Sequence, residues 1–454
     1  MKLRRSQRGA VALVVALVLV FGMTLVAFFA NREMIFEQRT STNQYRSTRA
    51  FEMAEAGLEW AVARLNDDRF LDANCVPSAA GGQSFRERYL GPNLSGTGAT
   101  FAIANPDEVK ASCTVDANGN VTCSCPASGT PSLGSANLPR FAVKFRPYPE
   151  TNPEPVTVEI LAYGCTDDGQ PCDSSGTADA TAVVRALYKV RPKFPNAPGA
   201  GLVAGGAATT GGAVKVINLD VASNGVTINS GTAVDLAGGG NKVGITVTTL
   251  PGTPPRASVL DSDPSLLALT NADADGDLFF QSFFGETMDQ YKNNPQTWLI
   301  TGDCAGRERC SPCDGKTACG LVMKDLLNQG LMQFWSEQEI AMGTDNVPSV
   351  GTIGTANRPI VFAGTKEIEF TGNITAYGMF FVAGSDALAT WEYNGSGTAQ
   401  IFGSFVSRGN FKRGSGSADL IYAPNIFRSG EALGLMVRVP GSWRDRACDY
   451  SATC

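Results

Sequence analysis

From Ala10 to Asn31 the chain carries no charge, and this 22-residue run is bracketed by Lys2, Arg4, Arg5 and Arg8 on one side and Arg32 on the other. A bilayer-spanning helix needs about 20 residues, so the run has the length of a membrane anchor. A removable export signal has a shorter apolar core, roughly 7–15 residues, with a small-x-small cleavage site after it. No such site follows. The chain continues as NREMIFEQRTSTNQYRSTRAFEMAEAGLEWAVARLN, with no proline between Met1 and Asn66. Phe51, Ala54, Leu58, Ala61 and Leu65 recur at steps of three and four and share one helix face. One helix over residues 10–66 would be roughly 85 Å long at 1.5 Å per residue. Only its first part, 10–31, fits in a bilayer, and the basic stub keeps that end cytoplasmic.

The sequence QRG directly before a retained apolar helix resembles the class III leader of type IV prepilins. The continuation, most specifically AFEMAEAGL at 50–58, resembles the N-terminal region of the PilX family of minor pilins. The resemblance covers roughly residues 1–66. It implies a leader over residues 1–9, cleavage between Gly9 and Ala10 by prepilin peptidase, and methylation of the new Ala10 amine. The same segment would then act in turn as signal, anchor and fibre core. Major pilins carry a Glu at the fifth mature position, thought to pair with a neighbour's terminal amine. Counted from Ala10, that position is Val14. PilX-type minor pilins and GspK-type pseudopilins share this lack, and both sit at or near the tip. A plain single-span anchor with an extracytoplasmic domain is the competing reading of this segment.

Beyond the helix the expected fold class is α+β. Residues 67–193 read as a small antiparallel sheet carrying the helix. GATFAIA and RFAVKFRPY alternate, and KASCTVDANGNVTCSCP is a hairpin with its turn at Asn118-Gly119-Asn120. VTVEILAYG and ADATAVVRALYKV form a pair joined by CTDDGQPCDSSGT. VRPKFPNAPGAG is a Pro/Gly-rich boundary. Residues 194–454 then read as one β-rich, β-solenoid-like domain. GNITAYGMFFVAG and GTAQIFGSFVSRG align at a 25-residue offset, with glycines at 372, 378, 384 and at 397, 403, 409. A β-sandwich is the alternative. Residues 261–345 read as inserted helices that cap the solenoid or, alternatively, present Phe279, Phe280, Phe283 and Phe284 to a partner.

Composition narrows the chemistry. The 454 residues contain no histidine, which removes Ser-His-Asp and Cys-His catalysis and His-ligated metals. With 37 Lys+Arg against 43 Asp+Glu, the chain has no electrostatic footprint for nucleic acid. Twelve cysteines behind an export signal read as disulfides of an oxidising compartment. Cys165 with Cys172 brackets a hairpin tip, and Cys448 with Cys454 closes the C-terminal segment. Cys304, Cys310, Cys313 and Cys319 read as two disulfides; a tetrahedral zinc site is the alternative. Cys75, Cys113, Cys123 and Cys125 have no assigned pairing. Asn271, Asp273, Asp275 and Asp277 occupy the first ligand positions of a calcium loop, but its twelfth position is Ser282, so no cofactor is assigned.

The functional expectation is therefore a non-enzymatic minor pilin. It would sit in the inner membrane before assembly, then in the pilus, joining a priming or tip complex. Its partners would be the major pilin, other minor pilins, a large tip adhesin and prepilin peptidase. The alternatives are a GspK-like type II secretion pseudopilin and a membrane-anchored surface carbohydrate-active protein.

Overall fold

The computed structural model describes residues 8–78, 81–93, 99–134, 138–149, 153–166, 172, 179–210, 212–237, 244–343, 351–384, 398–413 and 417–445. A single helix, α1, runs from Arg8 to Leu65. Its C-terminal third lies on an antiparallel sheet of β1 (Ala111–Val115), β2 (Val121–Ser124), β3 (Arg140–Pro147), β4 (Thr157–Cys165) and β5 (Thr181–Arg191). The periodic face is the one that packs. Ala54, Leu58, Ala61 and Leu65 share a core with Phe141, Val143 and Phe145 of β3, Val158 and Ile160 of β4, and Val184 and Ala186 of β5. Helix and sheet touch most closely at Gly164, where a Cβ would stand 2.0 Å from the Ala50 carbonyl oxygen. A six-residue helix, α2 (Phe85–Leu90), closes the end of this core behind a Ser84/Glu87 capping box.

The β1–β2 hairpin turns where expected, with Asp116 Oδ1 accepting from the backbone N–H of Asn118 and Asn120 at 2.8 Å. GATFAIA does not join this sheet. Among the described residues of that stretch only Thr100–Phe101 is a strand, paired with Pro92–Asn93 in a separate two-residue ladder. The alternation of β3 also overstates exposure. Its outward Arg140 and Lys144 are buried, beside Glu159 and Arg185, which pair at 3.3 Å.

Beyond residue 194 every strand pairing within the second domain is parallel among the described residues, so a sandwich of antiparallel sheets is not what forms. The strands stack in three ladders. The 25-residue offset is itself the register of one step. Thr375–Val382 pairs with Gln400–Ser407 residue for residue, placing Gly378 opposite Gly403. The order of the stack is not the order of the chain. Leu202–Ala204, Ile228–Ser230 and Val259–Leu260 run outward to one end. The chain then crosses to the other end through α3 (Pro264–Thr270), α4 (Asp277–Phe284) and α5 (Met288–Lys292). It winds back from Trp298–Thr301 through Gln333–Ser336 and Ile360–Gly364. Its last coil then meets its first: Phe405–Ser407 pairs with Leu202–Ala204, and Ser417–Ile421 with Ala213–Ile217.

The helical insertion is more mixed than its composition implies. The helix α6 (Lys316–Asn328) buries Cys319, Met323 and Leu326 in the stack's interior beside Ile340 and Met342, and so caps one end. The aromatic and aliphatic stretch after it forms strands, Gln333–Ser336 and Ile340–Gly343. The helices α4 and α5 instead lie along a side of the stack. Phe279, Phe280, Phe284 and Tyr291 pack on Trp335, Val361, Met379 and Phe381, the outward residues of one ladder. These phenylalanines are core, not a partner surface, and Phe283 is half-buried against the same cluster.

After the stack, α7 (Pro424–Leu433) leads back to the first domain. There β6 (Leu435–Arg438) pairs antiparallel with β5, with Leu435 opposite Arg191. Residues 194–454 are therefore not one domain. The stack is inserted between two neighbouring strands of the first sheet, and the C-terminal strand completes that sheet. Sequence reading misses this because a four-residue edge strand carries almost no periodic signal.

Candidate functional site

The first half of α1 is an apolar rod without a protein environment. Leu13, Leu17, Phe21, Met23 and Phe28 are each more than 60% exposed. A helix that is apolar all round needs lipid or other such helices about it. Gly9 and Ala10 lie in its first turn, and Val14 is 60% exposed, with no acidic residue before Glu33. The same covalent helix thus carries an unpaired apolar N-terminal segment and a C-terminal third fixed to a folded head.

A buried polar joint just after α1 ties the head to its own last strand and to the larger domain. Asn66 Nδ2 donates to the Met436 carbonyl at 3.1 Å, and the Met436 N–H donates to Asn66 Oδ1 at 2.7 Å. One amide side chain so satisfies both backbone groups on the outer edge of β6 and blunts that edge. Arg86, 1% exposed, donates through Nε to the Leu65 carbonyl at 2.9 Å and through Nη1 to Gly434 at 2.7 Å. Across the joint, Arg358 pairs with Glu87, donates to the carbonyls of Asp68 (3.1 Å) and Gly330 (2.7 Å), and lies over the Phe70 ring. Lys193 pairs with Asp68 at 3.4 Å.

Burial lowers the Arg86 pKa to about 10, against the opposing pull of Asp68 and Glu87. Burial likewise lowers Lys193, with Asp68 opposing. Burial would raise Asp67, but the Arg69 guanidinium, bonded to both its carboxylate oxygens, holds it below the ordinary carboxylate value. None of these residues was singled out from the sequence. Asn66-Asp67-Asp68 after an apolar helix face reads as a solvated helix end, and its partners are up to 370 positions away.

The other sequence candidates fall as follows. Cys165 bonds Cys172, Cys304 bonds Cys310, and Cys313 bonds Cys319. The four unassigned cysteines form Cys75–Cys125 and Cys113–Cys123. Cys448 and Cys454 lie outside the described residues. With its thiols paired, the 304–319 cluster has no thiolates to offer zinc, and among the described residues no group of three acidic or Cys side chains is placed to hold a metal. The Asn271–Asp277 loop is already served by a cation. Arg408 donates to the carbonyls of Asp273 (2.6 Å) and Ala274 (3.1 Å). Asp273 caps the turn by accepting from Gly276 and Leu278, and Asp277 accepts from the Met288 N–H.

Residues 8–59 match the PilX N-terminal family. Among solved structures, the competence-associated pilin ComZ from Thermus thermophilus aligns over 88% of this chain and 97% of its own, at 13% identity and a TM-score of 0.20. No curated protein matches the chain. The chain is an α+β protein whose N-terminal segment is of the PilX N-terminal type.

Proposed function

We propose that this chain is a minor pilin of a type IV pilus. It is processed by prepilin peptidase between Gly9 and Ala10 and joins the priming or tip complex. The observation that carries the reading is the divided helix α1, whose apolar N-terminal half is bare while its C-terminal third is locked into a head. Before assembly that bare half sits in the inner membrane. In the fibre it is surrounded by the equivalent helices of the major pilin and other minor pilins.

Two features favour the tip. Val14 offers no carboxylate to a neighbour's amine, a pair that would matter most in a low-dielectric fibre core. The inserted stack makes the head bulky, and crowding is least at an end, where it could meet a large adhesin. We read the stack itself as a β-solenoid serving adhesion or partner binding, with no catalytic role.

N-terminal mass spectrometry of membrane fractions tests processing. A mature chain should begin at methylated Ala10, and Gly9→Val should leave the leader attached. A chain beginning at Met1 in cells that assemble pili would sink the proposal. Immunogold labelling of sheared pili tests position. Label along the whole shaft would overturn the tip assignment while leaving the pilin reading intact.

A further inference from the structure

The three ladders of the stack are not equally free. One has its outer side buried under α4 and α5. A second is carried by short pairs, Ile340–Gly343 with Ile368–Thr371 and Phe411–Arg413 with Ala208–Thr210. The third runs through six strands. Thr352–Ile353 pairs with the start of Thr375–Val382, which pairs with Thr398–Ser407, then Ser417–Ile421, Ala213–Ile217 and Gly244–Thr248. Five steps of about 4.8 Å make it roughly 24 Å long.

Its inward residues, such as Ala376, Ile401, Leu420 and Val216, fill the core. The alternate residues point outward in register. One outward row is polar: Thr352, Thr375, Gln400, Asp419, Lys215 and Thr246. Beside it runs an apolar row of Tyr377, Phe402, Ile421 and Ile217, all half-buried. The Tyr377 and Phe402 rings stack on one another at 4.9 Å and 11°, which fixes them as a rigid strip. The chain's net charge is −6, yet these two rows carry a single acid and a single base on adjacent rungs.

We propose that this ladder is a binding face for a neutral linear polysaccharide. A row of hydroxyl and amide side chains with one acid–base pair, at constant spacing beside an apolar strip, matches a polymer with a repeating hydroxyl edge and a repeating C–H face. The balanced charge gives no attraction for a polyanion or a polycation. A protein occupant fits poorly. With the flanking row Thr398, Ser417 and Ala213 the face spans three outward positions, about 13 Å, so its area is roughly 300 Å². A stable protein interface takes about 800 Å² from each partner, with aromatic anchors in pockets. This inference does not rest on where in a fibre the chain sits.

The test uses the full chain in detergent micelles and affinity electrophoresis in gels containing cellulose-derived polymer, mixed-linkage glucan or mannan, with alginate as the acidic comparison. At least one neutral polymer should retard the protein, and alginate should not. Thr375→Lys with Gln400→Lys should weaken that retardation at least tenfold while leaving the melting temperature unchanged. Lys412→Glu, on a different ladder, should bind as the parent does. Lys215→Gln keeps the rows and should retain binding within about threefold, so loss through misfolding is separable from loss of the face. The proposal is overturned if no neutral polymer retards the protein, if alginate alone does, or if the double variant binds normally. Self-association that the double variant abolishes would also overturn it, in favour of a second copy as occupant.

Discussion

The six-stranded sheet of the first domain is antiparallel, gives one face to α1, and joins strands that are neighbours in the chain, apart from β1 beside β3 and its last strand. The stack of the second domain is parallel throughout its described residues. It buries both sides of one ladder, and it joins its last coil to its first. Both units end the same way, with a late segment filling an edge left open by an early one: β6 beside β5, and 405–421 beside 202–217. Local rules build each unit, and a long-range return closes it. A sheet edge left open would expose unpaired backbone groups, so the closing segment is part of the fold.

The largest effect should come from breaking these closures. Truncation before residue 194 removes β6, leaves the β5 edge open and takes both Met436 bonds from the Asn66 amide. The loss should be on the order of the domain's whole stability, about 5 kcal/mol or more. Replacing residues 192–434 by Asn-Gly joins Arg191 to Leu435 as a two-residue hairpin and should preserve the first domain. Thermal melts in detergent followed by circular dichroism decide this. If both chains melt alike, β6 is dispensable and the parallel between the two closures fails.

Next in size are two glycines that permit close backbone approaches, one in each unit. A Cβ at Gly164 would meet Ala50 O at 2.0 Å, and one at Gly403, with φ +136°, would meet Gly378 O at 1.9 Å. Gly164→Val and Gly403→Val should each cost about 3 kcal/mol. Each should lower only its own domain's transition in calorimetry. A common shift of both transitions would show the joint has fused them into one cooperative unit.

A smaller change sharpens the joint. Asn66→Ala leaves the buried Met436 N–H unpaired and removes an acceptor from Arg86, so it should cost about 2 kcal/mol. Hydrogen exchange at Met436 should rise, while exchange at Phe380, deep in the stack, should not.

The smallest effect is acid sensitivity. Asp67 is held below its ordinary 3.8 by Arg69, so its contribution is present above 3.8 and fades as pH falls through the lower, folded value. The first domain's melting temperature should drop in that window, and Asp67→Asn should flatten the drop. An unchanged slope would mean that the Arg69 contact adds no stability.

The sequence by itself determined the features that repeat at short range. It supplied the apolar rod from Ala10, the helix face through Ala54, Leu58, Ala61 and Leu65, the β1–β2 turn, and the 25-residue step that became the register between Gly378 and Gly403. Each is a period of 2, of 3.6 or of one coil, and periods are visible in a string. Tertiary structure alone decided which edges meet. That Leu435 lies beside Arg191, that Ser417–Ile421 lies on Ala213–Ile217, and that Arg358 reaches Glu87 depend on contacts hundreds of residues apart. It also decided that the four phenylalanines of α4 face inward. Their clustering in sequence fixed how apolar the helix is, while the ladder beneath it, apolar on both sides, fixed what it covers. Burial depends on the neighbour as much as on the residue, and the neighbour is chosen only when the chain closes on itself.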